Sequence, residues 1–320
     1  MTRRLIVRFS ILVIALVVSA LLIEWFLEAH DVNRLMPGQT FVQVGNSRIR
    51  YKLMGVNNRG AVVVFLSGLA GSLEQADKLQ TTVSTSVPSL AYDRAGYGFS
   101  EGSSAHSAAE QAEELAGLLD ALKIDKPVVL AAYSNSGELA RVFASRYPEK
   151  VGYLYLIEPW MPELSVWNPK RWSVRRYYGR TAIQDYLKSV VGLMRLSQRL
   201  KDWKGPESLV DQRTEAGLAR RSHNWGVLAE WYERPLTARQ AIAATVHPEI
   251  PIEIIFTKGR FQDEESNRAE DKMFADLAAR SRYGTLVEFE HVEHTRLMEP
   301  SLMFDPMAAR IKQLSLKVAP

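Results

Sequence analysis

Residues 127–140 read PVVLAAYSNSGELA. An apolar, β-branched run stops at small and polar residues, and a helix-forming segment follows at once. A strand that turns sharply into a helix displays its turn residue at the end of a sheet. That residue is Ser134, with small Ala132 two places before it and small Ser136 two places after. The pattern is a variant of the G-x-S-x-G turn, in which tight backbone demands small flanks, here Ala and Ser in place of Gly.

Composition bounds the rest. With 320 residues and 47% hydrophobic content, the chain can bury a large core, as one large domain or one domain with an insertion. The formal net charge of +4 is a mild excess without a dense basic stripe, so no nucleic-acid partner is expected. There is no cysteine, which excludes disulfides, Cys-ligated zinc and thiol catalysis.

At the N-terminus, Arg3, Arg4 and Arg8 precede an almost wholly apolar run over residues 9–23, and Glu24 is followed by Trp25, Phe26 and Leu27. Residues 5–27 are enough helix to cross a hydrocarbon core of roughly 30 Å. Residues 1–27 therefore read as an uncleaved transmembrane signal anchor, with the N-terminus cytoplasmic and the folded domain on the far side. Cleavage near Val18-Ser19-Ala20, giving a secreted protein, is the alternative. Residues 28–40, with Pro37-Gly38, read as a linker.

The body alternates strands and helices. Residues 41–53 show a hairpin pattern about Gly45-Asn46, residues 61–66 a buried strand and 89–92 a short one. A helix over 107–122, the strand at 128, a helix to about 146 and a strand over 152–157 follow. From 160 to 245 tryptophans, arginines and tyrosines crowd in and helical signals replace the rhythm. It resumes with a strand at 252–256, a helix at 267–280, a strand at 286–290 and a helix over about 300–316. This order predicts an α/β fold, a mostly parallel sheet with helices on both faces. Its core is 41–159 with 246–320, and 160–245 is a helical cap insertion.

Four stretches in order carry a family resemblance. Leu66-Ser67-Gly68-Leu69-Ala70-Gly71 resembles an oxyanion loop, with Ser67 where His is usual. Tyr92-Asp93-Arg94-Ala95-Gly96-Tyr97-Gly98-Phe99-Ser100 resembles a D-R-x-G-x-G-x-S turn. The Ser134 turn follows, and then His294-Thr295-Arg296-Leu297-Met298-Glu299-Pro300 resembles the segment that holds a catalytic histidine. Together they resemble the α/β-hydrolases, from about residue 41 to the C-terminus.

The resemblance implies a serine hydrolase that needs no metal or organic cofactor. A serine hydroxyl is a poor nucleophile until a base takes its proton, and His294, past the last strand, is the expected base, with His291 as runner-up. His30, His106, His223 and His247 read as ordinary polar residues. The main-chain N–H groups of Leu69 and Asn135 are expected to hold the oxyanion, with Gly68 allowing close approach. The acid that orients the histidine is expected at Asp263, with Glu158, at the end of an earlier strand, as the alternative. Asp93 and Arg94 are expected to brace the sheet edge.

The cap is less legible. Lys170-Arg171-Trp172-Ser173-Val174-Arg175-Arg176-Tyr177-Tyr178-Gly179-Arg180 mixes cations with aromatics and suits either a solvated helix or contact with anionic headgroups or an acidic substrate. The expected substrate is a small-molecule or lipid-like ester or related acyl compound, and the expected location a membrane, through the N-terminal helix. The competing reading is a catalytically silent scaffold of the same fold, used for binding or signalling.

Overall fold

The computed structural model describes residues 3–102, 106–168, 172–201, 204–289, 294 and 304–318, with the side chains of 172–178 set aside. A long helix, α1 (Arg3–Leu35), leads into a hairpin of β1 (Thr40–Val44) and β2 (Ser47–Met54). Then come β3 (Val63–Leu66), α2 (Asp77–Val83), β4 (Ser89–Tyr92), α3 (Ala108–Ala121), β5 (Val128–Tyr133), α4 (Ser136–Arg146) and β6 (Val151–Ile157). Five helices intervene: α5 (Glu163–Trp167), α6 (Trp172–Val190), α7 (Leu193–Lys201), α8 (Leu209–Ala219) and α9 (Arg221–Ala243). The chain ends with β7 (Ile252–Thr257), α10 (Glu264–Ala278), β8 (Thr285–Phe289) and α11 (Phe304–Val318).

The eight strands form one sheet in the order β1-β2-β4-β3-β5-β6-β7-β8. Only the β1–β2 and β2–β4 pairs are antiparallel; the rest are parallel. Strand periodicity divides the core into two layers. Val128, Leu130 and Ala132 of β5 face the side covered by α3, α4 and α10, where Leu115, Phe143 and Phe274 pack. Val129, Ala131 and Tyr133 face the side covered by α2 and α11, where Leu79, Ile311 and Leu314 pack. Both faces are thus apolar, which is why the central strands read as unbroken hydrophobic runs.

Two features place the site. All parallel strands point their carboxyl ends to one edge, and β5 lies between β3 and β6 there. Helix α9 crosses that edge. Its Thr237 hydroxyl and Gln240 side-chain carbonyl accept the N–H groups of Ala108 and Ala109, two first-turn donors of α3 that have no partner within the helix. Arg234 pairs with buried Glu138 of α4.

Residues 28–35, expected as linker, are instead the last turns of α1. The helix ends at Leu35, and the chain turns at Gly38 with φ of +77° before β1. By length and composition α1 can cross a bilayer.

Candidate active site

Ser134 stands at the turn between β5 and α4 with φ of +55°, a left-handed conformation that costs a non-glycine residue energy. Hydrogen bonds hold it there. Its N–H donates to the Ile157 carbonyl at 2.9 Å, and its carbonyl accepts from Trp160 at 2.9 Å and Gly137 at 3.1 Å. The small flanks are explained by what surrounds them. A Cβ on Gly137 would lie 2.6 Å from the Cβ of Pro159. Ala132 is fully buried between Leu66 and Leu156 in register. Ser136, where the pattern prefers glycine, donates its hydroxyl to the Ser67 carbonyl and so ties α4 to the loop after β3.

The Nε2 of His294 lies 2.8 Å from the Ser134 hydroxyl oxygen, and its Nδ1 lies 3.0 Å from the Glu158 carboxylate. The Tyr133 ring stacks on the imidazole with centroids 5.0 Å apart, and the Tyr133 hydroxyl donates to the His294 carbonyl. Glu158 directly follows β6, also with positive φ, at +44°, and is 1% exposed. Its carboxylate accepts the Thr257 N–H at 2.7 Å and the Thr257 hydroxyl. Burial pushes the Glu158 carboxyl up, but hydrogen bonds from His294 and Thr257 and the Arg260 charge outweigh it and hold the group below the usual carboxylate range. An ionised carboxylate at Nδ1 keeps the imidazole proton there and leaves Nε2 free to accept from Ser134.

Glu158, and not Asp263, meets the histidine. Asp263 is the N-cap of α10, its carboxylate accepting the Ser266 N–H at 2.7 Å. His291 and the stretch 295–300 lie outside the described residues. Of the remaining histidines, His223 is buried and its Nδ1 accepts the Gly98 N–H at 3.1 Å.

The loop after β3 approaches the serine closely. A Cβ on Gly68 would lie 3.3 Å from the Cβ of Ser134 and 3.3 Å from the Tyr133 ring. Among the described residues, no acceptor takes the main-chain N–H of Leu69 or of Asn135. The loop is braced from behind. Arg94 donates to the carbonyls of Ser67 at 2.7 Å and Gly68 at 3.3 Å. Asp93 accepts the N–H groups of Leu73 at 2.6 Å and Phe99 at 3.0 Å and pairs with buried Arg50.

Glu230 of α9 completes the brace, and sequence reasoning missed it. One carboxylate oxygen accepts from the Asn135 side chain at 2.9 Å; the other accepts from Arg94 at 3.1 Å and from the Tyr97 hydroxyl. One buried carboxylate thereby joins the helical insertion to the residue after Ser134 and to the loop after β4, whose Arg94 in turn holds the loop after β3. Its only sequence signal is the i, i+4, i+7 spacing of Glu230, Arg234 and Thr237. Among the described residues, no group of three or more His, Asp or Glu side chains could hold a metal ion.

Comparison with known proteins agrees with this architecture. A family model described as alpha/beta hydrolase fold matches residues 61–203. The rat protein 1-acylglycerol-3-phosphate O-acyltransferase ABHD5 is 30% identical over 126 residues, 37% of this chain and 36% of the relative. The putative carbamate hydrolase RutD of Pantoea ananatis is 34% identical over 113 residues, 34% of this chain and 41% of the relative. These matches span about two fifths or less of the relatives' own length. Epoxide hydrolase VrEH1 from Vigna radiata superposes with a TM-score of 0.65 at 17% identity, covering 87% of this chain and 97% of that structure. A thermophilic esterase from Thermogutta terrifontis gives 0.61 at 14% identity, covering 88% and 99%. Strand order, the matched family model and these superpositions together establish that the chain has the α/β-hydrolase fold.

Proposed function

We propose that the protein is a serine hydrolase that cleaves an ester or related acyl bond through an acyl-enzyme. The observation that carries the reading is the unbroken series of Ser134 hydroxyl, His294 imidazole and Glu158 carboxylate at 2.8 and 3.0 Å. Ser134 Oγ attacks the acyl carbon while His294 Nε2 takes its proton. The negative oxygen of the tetrahedral intermediate sits against the N–H groups of Leu69 and Asn135. Collapse breaks the bond to the leaving alcohol, which receives the proton from His294. Water then gives a proton to His294, attacks the acyl carbon, and releases the carboxylic acid and free Ser134. Glu158 remains ionised throughout and stabilises the imidazolium.

In this reading α5 to α9 are the cap that selects the substrate, and α1 is an uncleaved membrane anchor with its N-terminus in the cytoplasm. The anchor places the site beside lipid, which favours small or lipid-like acyl substrates. Likeness to the rat acyltransferase favours a second outcome for the same acyl-enzyme, transfer to an alcohol in place of water. The test is a panel of short esters, long-chain esters, lysolipids and amides, assayed with and without an added alcohol acceptor. Turnover lost in Ser134→Ala is expected. Turnover undiminished by that substitution rules the reading out.

A further inference from the structure

Helix α1 is not a free stalk. Residues 3–19 are exposed all round, but Glu24, Glu28, Asp31 and Leu35, spaced on one helical face, turn towards the insertion. Arg195 of α7 holds Glu24 at 2.7 Å and also pairs with Asp31. Arg221, at the start of α9, holds Glu28 at 2.9 Å, and its main-chain N–H donates to the same carboxylate at 2.7 Å. Gly192, just before α7, lies so near α1 that a Cβ would come within 3.0 Å of the Glu24 carboxylate. The first turn of α7 is therefore fixed level with the point where the apolar run of α1 ends.

At that level α7 carries Leu193, Leu196 and Leu200, which are 50, 52 and 70% exposed. Their i, i+3, i+7 spacing puts them on one face. Leu196 lines a cleft of about 490 Å³ together with Ala20, Ile23 and Leu27 of α1 and the charged Glu24, Asp31 and Arg195, so the leucine face begins beside the end of the apolar span. Apart from Met194, the rest of α7 is polar or basic: Arg195, Arg199 and Lys201 are its charged residues, and it contains no acid. A short helix with a bare leucine face and a cationic remainder is poorly matched to water and well matched to the boundary between acyl chains and anionic headgroups.

We propose that α7 is an interfacial helix. Leu193, Leu196 and Leu200 enter the headgroup–acyl boundary of the bilayer that α1 crosses, and Arg199 and Lys201 meet anionic headgroups. The inference rests on the reading of α1 as an anchor and goes beyond it. The domain then has two membrane contacts, and the helical insertion is held at a fixed height above the lipid.

The chain contains no cysteine, so single reporters can be introduced without background. Full-length Leu196→Cys and Leu200→Cys, carrying an environment-sensitive fluorophore, are reconstituted into vesicles of phosphatidylcholine and phosphatidylglycerol. Ile14→Cys reports on α1. Tyr283→Cys, exposed before β8 on the sheet edge away from Ser134, reports on a water-facing surface. A nitroxide lipid labelled near the top of its acyl chain should quench positions 196 and 200 at least about twofold, matching the roughly 5–10 Å burial of interfacial helices, and spare 283. Quenching at 14 with none at 196 or 200 overturns the inference while leaving the anchor intact. Shielding of 196 and 200 from aqueous iodide without lipid quenching also overturns it, because a second copy of the chain then covers the leucines. No quenching at 14 by a nitroxide lipid labelled deep in its acyl chain overturns the anchor and the inference with it.

Discussion

The Glu158 carboxylate lies 3.0 Å from the Nδ1 of His294, joining residues 136 positions apart. Adjacent strands bring this about. β5 and β6 run parallel, and the Ser134 N–H bonds to the Ile157 carbonyl, so the residue after Ile157 emerges beside the serine. The last residue of β7, Thr257, fixes the carboxylate.

The two candidate acids therefore separate cleanly. Glu158→Gln removes the charge that stabilises the imidazolium and favours the wrong tautomer, and it should lower kcat by roughly 10³–10⁴-fold. Asp263→Asn should leave kcat within about twofold and cost at most about 1 kcal/mol, because asparagine also caps a helix. Ester turnover and thermal unfolding of the two variants check both expectations.

Glu230 offers a test of the brace. Glu230→Ala leaves Arg94 buried without its counter-charge and should destabilise the protein by about 3–5 kcal/mol. Glu230→Gln keeps an acceptor for Asn135 and should retain the fold better, while lowering kcat more than it raises KM, because in the proposed mechanism the Asn135 N–H also holds the oxyanion. Equal unfolding midpoints for wild type and Glu230→Ala would refute the role.

His223 predicts acid sensitivity. Burial, with the nearby Arg94 and Arg220 charges, pushes its imidazole down to about 3 from 6.5. Between those values the unfolded chain binds the extra proton and the folded chain does not. Stability should therefore fall as pH drops from about 6.5 towards 3. His223→Gln removes this contribution, so its unfolding midpoint should vary less than that of wild type between pH 7.5 and 5.

Gly137→Ala probes the elbow. Its Cβ would meet the Cβ of Pro159 at 2.6 Å, and a proline ring beside Glu158 has little room to move. A loss of about 1–3 kcal/mol, typical of overpacking, is expected in chemical denaturation, together with reduced kcat.

Periodicity made most of the fold legible. Valine-rich runs marked the strands buried on both faces, and the small residues around Ser134 marked the turn. Two expectations went astray for definite physical reasons. The acid's usual site in the family, just after the penultimate strand, favoured Asp263 although it follows two or three residues late, yet Asp263-Glu264-Glu265-Ser266 is also a helix start, a cap followed by acids in the first turn. Pro37-Gly38 made 28–40 read as linker, but Glu28, Asp31 and Leu35 continue the helical face begun at Glu24. That face is acidic because the surface it meets carries Arg195 and Arg221. Glu230 was hidden for a related reason: its partners Arg94, Tyr97 and Asn135 lie about a hundred or more residues away, and local patterns carry no trace of such pairs.

The most direct measurement of the central claim is covalent labelling of the folded full-length protein by a fluorophosphonate, located by mass spectrometry. Labelling should fall on Ser134, vanish in Ser134→Ala, and slow by orders of magnitude in His294→Ala. A folded protein that does not react, or one labelled equally well after Ser134→Ala, would contradict the account.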